Sequence, residues 1–139
     1  MLLLDNSAWA RLNSPRLTQD RADAVAGWLG DQQLATCLPF LLEAGYSARS
    51  GREYATMIAR LGRLPRIDVD RDVERLALGA QRELALIGHH RIAPADVIVA
   101  ACAHIAGAGV LHYDSDYDVL ASSSGLAFES EWLAPAGTL

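Results

Sequence analysis

From Pro94 to Ala106 the chain is apolar but for Asp96 and His104. A helix that is apolar on every side belongs inside a domain rather than on its surface. The alanines at 100, 101, 103 and 106 let neighbouring backbone come close. Shortly afterwards Val110-Leu111-His112-Tyr113 reads as a short buried strand running into Asp114-Ser115-Asp116. One buried helix thus carries Asp96 at its entrance, and the next strand delivers Asp114 at its exit. Carboxylates held close repel and resist ionisation unless a cation joins them.

The rest of the chain alternates in the same way. Leu2-Leu3-Leu4 reads as a buried strand, then Asp5-Asn6-Ser7 as a turn into a short helix, where Asn6, Ser7 or Asp5 itself can cap. Ala22, Val25, Ala26 and Leu29 recur at helical spacing and predict a helix over 18–29, closed by Gly30. A second strand is expected over 33–37. Pro39 suits the first turn of the next helix, which carries Glu43 and runs to Arg49. A weak third strand (66–69) and a helix over 71–87, ended by Gly88, precede the central helix. Gly107 and Gly109 turn the chain into the fourth strand, a short helix starts at Asp116, and Ala127-Phe128-Glu129 is expected at a sheet edge. Residues 1–133 form one domain and 134–139 a frayed tail. Short apolar strands alternating with helices imply an α/β fold, a mostly parallel sheet of four or five strands covered on both faces.

Charge narrows the partners. The net charge is −5, so the chain as a whole does not advertise nucleic-acid binding. All 12 basic residues are arginine, which excludes any mechanism that needs a lysine. Residues 49–66 reverse the overall sign: Arg49, Arg52, Arg60, Arg63 and Arg66 stand against the single acid Glu53. That span is either a solvated face or a binding surface. Cys37 and Cys102 lie far apart in apolar surroundings and read as buried free thiols. His89-His90 reads as a solvated loop pair, since no third ligand has zinc-like spacing. Met1-Leu4 is followed at once by Asp5 and makes no signal peptide, and no apolar run reaches the length of a membrane span. A cytoplasmic protein is expected.

In open parallel sheets, ligands bind beyond the carboxyl ends of the strands, where strand order reverses. Asp5 follows the first strand, Glu43 lies just inside the helix after the second, Asp96 opens the central helix, and Asp114 and Asp116 follow the fourth strand. All can reach one rim. Each has an ordinary explanation alone, as a cap or a solvated acid; their common location has none. Hard oxygen ligands without cysteines or a histidine set suit Mg²⁺ or Mn²⁺, and the natural chemistry is metal-assisted attack of water on a phosphodiester.

The residues that carry this pattern resemble a known family. Leu2-Leu3-Leu4-Asp5-Asn6-Ser7, Leu41-Leu42-Glu43-Ala44-Gly45-Tyr46, Pro94-Ala95-Asp96-Val97-Ile98-Val99-Ala100-Ala101 and Leu111-His112-Tyr113-Asp114-Ser115-Asp116-Tyr117, in that order and spacing, are similar to the PIN-domain ribonucleases, and among them the VapC-type toxins of bacterial toxin–antitoxin pairs. The resemblance spans about residues 1–130. It implies a PIN-like three-layer domain with an acidic site at the C-terminal rim of the strands. It further implies that Asp5, Glu43, Asp96 and Asp114 are the catalytic carboxylates, and that Asp5, Asp96, Asp114 and Asp116 hold Mg²⁺ or Mn²⁺. It places a hydroxyl near the first aspartate; Asn6 stands where Ser or Thr is common, so Ser7 takes the role of orienting water or phosphate. Tyr117 stands where Phe is common, a change from which no chemical consequence is expected. An RNA substrate, a VapB-like antitoxin and a homodimer are likewise implied, and the basic span supplies Arg49, Arg52, Arg60 and Arg63 as the expected RNA contacts.

Two other classes compete with an RNA-cleaving toxin. A phosphoacceptor signalling domain also gathers aspartates around Mg²⁺, but needs a lysine this chain lacks. A PIN-like interaction module without catalysis has no reason to tolerate the repulsion of intact acids.

Overall fold

The structure is a computed structural model that describes residues 1–139. Five strands, β1 (Leu2–Leu4), β2 (Leu34–Cys37), β3 (Arg66–Ile67), β4 (Gly109–His112) and β5 (Ser130–Trp132), form one sheet in the order β3-β2-β1-β4-β5. Every pairing is parallel. The sheet is therefore fully rather than mostly parallel, and β2 and β4 are buried along their whole length, as expected for strands covered on both faces.

Seven helices flank the sheet: α1 (Asn6–Trp9), α2 (Gln19–Gly30), α3 (Leu38–Tyr46), α4 (Gly51–Leu61), α5 (Arg71–Leu86), α6 (Pro94–Ala106) and α7 (Asp116–Ser123). None is long and apolar enough to cross a membrane. Their ends follow local chemistry. Thr18 and Ser50 cap α2 and α4 through their side-chain oxygens, and Asp70 caps α5. The helix expected to run to Arg49 stops at Tyr46. The Ser47 hydroxyl turns back to the Ala44 carbonyl at 2.7 Å, and Ser50 starts the next helix.

The central helix α6 opens on Pro94 and closes on Gly107, whose φ of 59° lies in the left-handed region that glycine adopts without strain. Its middle, from Val99 to Ala103, is fully buried, while Ile105 in the last turn reaches solvent. Gly109 is needed for close approach: a Cβ there would stand 2.7 Å from a Leu2 methyl and 3.0 Å from the Glu129 carbonyl oxygen.

β5 begins later than the apolar pattern suggests. Phe128 packs edge-on against Tyr117 rather than joining the ladder, and pairing with β4 starts at Ser130 opposite Val110. The side chains that fix this register are polar: Ser130 contacts His112, and Trp132 packs on the same imidazole. Past β5 the chain turns back, and the Leu139 amide donates to the Tyr113 hydroxyl at 2.8 Å.

With β1 in the middle, the chain winds one way through β2 and β3, then returns to add β4 and β5 on the other side. The reversal lies between β1 and β4, and Asp5 and Asp114 follow the ends of those two strands. The crevice that such a reversal opens is the usual ligand site of an open parallel sheet.

Candidate metal centre

Asp5 leaves β1 and caps α1: its Oδ2 accepts the Ser7 amide at 2.8 Å and also the Ser7 hydroxyl. The same Ser7 oxygen accepts the Tyr113 amide at 2.9 Å, and the Asp5 amide donates to the Leu111 carbonyl at 3.0 Å. The ends of β1 and β4 are thereby laced together. The cap role and the place in the acidic cluster, alternatives in the sequence, are both true of Asp5.

Asp96 sits in the first turn of α6 and is 9% exposed. Asp114 follows β4, and its Oδ1 accepts the Asp116 amide at 3.0 Å, which shapes the entry to α7. One carboxylate oxygen from each of Asp96, Asp114 and Asp116 lies within 4.8 Å of the others. Asp5 joins this trio through Tyr117, whose hydroxyl donates to Asp5 Oδ1 at 2.7 Å and stands 3.5 Å from Asp96 Oδ1. Glu43, half-buried on α3, lies near enough to feel the charge of Asp5 and to raise Asp96 in turn.

The electrostatics are those of crowded acids. Burial, and then the charges of Asp5, Asp114, Glu43 and Asp116, push Asp96 up to about 7. Burial and Asp5 raise Glu43; burial and Asp114 raise Asp116, with His89 pulling the other way. A donor set made only of carboxylate oxygen, close together and short of protein cations, fits a hard divalent ion such as Mg²⁺ or Mn²⁺.

Other expected participants lie further out. The Ser7 hydroxyl donates to Asp5 and accepts the Tyr113 amide. Arg49, Arg52, Arg60 and Arg63 are exposed on and beside α4. Arg49 pairs with Glu53 at 3.5 Å, while Arg52 and Arg60 line a groove with Trp9 and Met57, and Arg63 a neighbouring one with Trp9 and Leu29. Arg11 donates to the Ser7 carbonyl at 2.9 Å and stacks over Tyr113.

Tyr117 is the main correction. Its ring fills the place expected of a phenylalanine, but its hydroxyl enters the carboxylate cluster. The signal was available: a tyrosine at an apolar helix position must find a partner for its O–H once buried. The same holds for His112, fully buried at the end of β4.

A PIN-domain family model matches residues 2–122. Ribonuclease VapC18 of Mycobacterium tuberculosis is 35% identical over 139 residues, which cover 98% of this chain and 97% of that protein. Ribonuclease VapC51 of the same organism is 34% identical over 138 residues, covering 99% and 96%. Among solved structures, VapBC2 from Rickettsia felis bound to a promoter DNA fragment aligns with a TM-score of 0.73 at 15% identity, covering 94% of this chain and 98% of that one. DNA-bound VapBC from Salmonella typhimurium aligns with a TM-score of 0.71 at 21% identity, covering 96% and 100%. These last two speak to the fold alone. With the fold, the rim of carboxylates and the full-length relatives in agreement, the chain belongs to the PIN-domain family and, within it, to the VapC ribonucleases.

Proposed function

We propose that the protein is a divalent-metal-dependent endoribonuclease toxin, held in check in the cytoplasm by a VapB-like antitoxin and acting as a homodimer. Asp96, Asp114 and Asp116, with an oxygen of each within 4.8 Å of the others at the strand-order reversal, carry this reading. They would hold Mg²⁺ or Mn²⁺, with Asp5 behind them and Glu43 beside them completing the catalytic carboxylates. When bound, the ion supplies Lewis acidity toward a phosphate oxygen and acidifies water beside it.

The chain's own groups have separable tasks. Asp96 gives up the proton that its crowded surroundings favour. Burial and Asp5 raise Glu43 above an exposed glutamate. Ser7 and Tyr117 donate to opposite oxygens of Asp5 and orient it, and Ser7 would also orient water or phosphate beside the carboxylates. The arginines of α4 would neutralise the backbone of RNA approaching an otherwise acidic rim. The antitoxin and the second copy are supported by membership in the VapC branch.

Cleavage of RNA by the purified chain, with Mn²⁺ or with EDTA, tests this function through the new ends. Attack by water leaves a 5′-phosphate and a 3′-hydroxyl, needs the metal, and is lost in Asp96→Asn. Cyclic phosphate ends that persist in EDTA would mean a histidine route using the RNA 2′-hydroxyl and would overturn the assignment.

A further inference from the structure

His112 has no place in the chemistry above, yet it is fully buried and every polar atom of its ring is engaged. Nδ1 faces the Asp114 backbone amide at 3.1 Å. An amide N–H can only donate, so Nδ1 is the accepting, unprotonated nitrogen. The proton then sits on Nε2, which donates to Ser130 Oγ at 2.7 Å. Ser130 passes its own proton to Asp118 Oδ1 at 2.6 Å, and Trp132 Nε1 donates to both oxygens of that carboxylate, at 3.2 and 3.0 Å. The direction of each bond follows from the one before it, so the chain of donors fixes a single tautomer. The flat sides of the ring are also in use: Tyr117 lies with its centroid 4.9 Å away at 35°, and Trp132 at 5.0 Å and 60°.

We propose that His112 is a positioning residue of the acidic site: as the neutral Nε2–H tautomer it holds the backbone at Asp114 through Nδ1 and backs the ring of Tyr117. One imidazole thereby sets both halves of the cluster, Asp114 directly, and Asp5 and Asp96 through the Tyr117 hydroxyl. Ser130 and Asp118, outside the carboxylate rim, lock the tautomer from the far side. This is also why β5 begins at Ser130: the register of the edge strand and the orientation of a metal-binding loop depend on the same side chain. The role in ion binding rests on the metal-centre reading; the tautomer and the hold on Asp114 do not.

The test uses the full chain stripped of metal, with Mn²⁺ as the probe. His112→Asn can present its Oδ1 where Nδ1 stood, whereas His112→Gln reaches only the Nε2 end. Partners that orient metal ligands typically change affinity by about ten- to a hundredfold. His112→Gln should therefore bind Mn²⁺ about tenfold or more weakly, and His112→Asn close to wild type, with melting in chelator recorded for both. Nitrogen NMR of the wild-type imidazole should show Nδ1 bare and Nε2 protonated. Hydrogen exchange at the Asp114 amide should be slow in the wild type and His112→Asn and fast in His112→Gln. A protonated Nδ1, unaltered Mn²⁺ affinity in His112→Gln, or losses in both variants that merely track their melting temperatures would overturn the proposal. If the wild type takes up no Mn²⁺, the metal-centre reading fails on its own. The tautomer and the Asp114 amide then decide on His112: the expected pattern sustains its hold on Asp114, and any other overturns it.

Discussion

The Tyr117 hydroxyl donates to Asp5 Oδ1 at 2.7 Å and stands 3.5 Å from Asp96 Oδ1, so one neutral donor lies between two acids of the rim. Burial and the charges of Asp5 and Asp96 hold its phenol well above the usual range, which keeps the proton on the oxygen. In a cluster with no nearby lysine or arginine on these carboxylates, that dipole is the protein's own substitute for a cation.

Replacing Tyr117 by Phe removes this donor and changes little of the ring packing. A hydrogen bond to a charged group contributes about 1.5–3 kcal/mol, and the metal-free protein should lose about that much in denaturant unfolding. The deficit should shrink in saturating Mn²⁺, where an ion takes over the neutralisation. Equal stability of Tyr117→Phe and wild type in EDTA would show that the hydroxyl has no such part.

The pH dependence has a definite sign. Asp96 is raised to about 7 in the folded chain, while an unfolded aspartate titrates near ~4. Between these values the native state binds more protons than the unfolded state, so stability falls as pH rises, by up to about 1.4 kcal/mol per pH unit. Glu43 and Asp116, also raised, add to the fall, while His112, lowered by burial, pulls the other way below about 6.5. Unfolding in EDTA from pH 4 to pH 8 should show this decline, and Asp96→Asn should flatten it. Mn²⁺ should counter it, since ionised ligands bind and release their protons. The same pH dependence in Asp96→Asn as in the wild type, without metal, would contradict the crowding of the acids.

The α4 arginines offer a test away from the carboxylates. Arg52, Arg60 and Arg63 are exposed and border grooves shared with Trp9 on α1, the helix that starts at Asp5. Changing all three to Gln should weaken RNA binding and make its log–log salt dependence shallower by up to about one per lost phosphate contact. Mn²⁺ affinity should stay unchanged. An unaltered salt slope would make this ridge a solvated face.

How the fold and site were read from sequence depended on the kind of residue. Apolar periodicity located the strands and helices because burial is what it records, and Asp5, Glu43, Asp96, Asp114 and Asp116 stood out because charge at strand ends is costly unless used. What escaped was polar chemistry inside apolar frames. Tyr117 read as a stand-in for phenylalanine and His112 as part of a buried strand, and their hydroxyl and ring nitrogens took on meaning only once β1, β4 and α7 were brought together. The edge strand was misplaced by a few residues for the same reason: Phe128 carried the apolar signal, while Ser130 and Trp132 made the contacts that set the register. The end of α3 turned on the Ser47 hydroxyl, which no periodicity reports.

The central claim is that Asp96, Asp114 and Asp116 hold a divalent ion, and calorimetric titration of Mn²⁺ into the metal-free chain tests it most directly. The wild type should take up Mn²⁺ saturably at pH 7, with protons released to the buffer as Asp96 ionises, and Asp96→Asn should lose both the binding heat and the proton release while remaining folded. No saturable binding by the wild type, or equal affinity in Asp96→Asn, would contradict it.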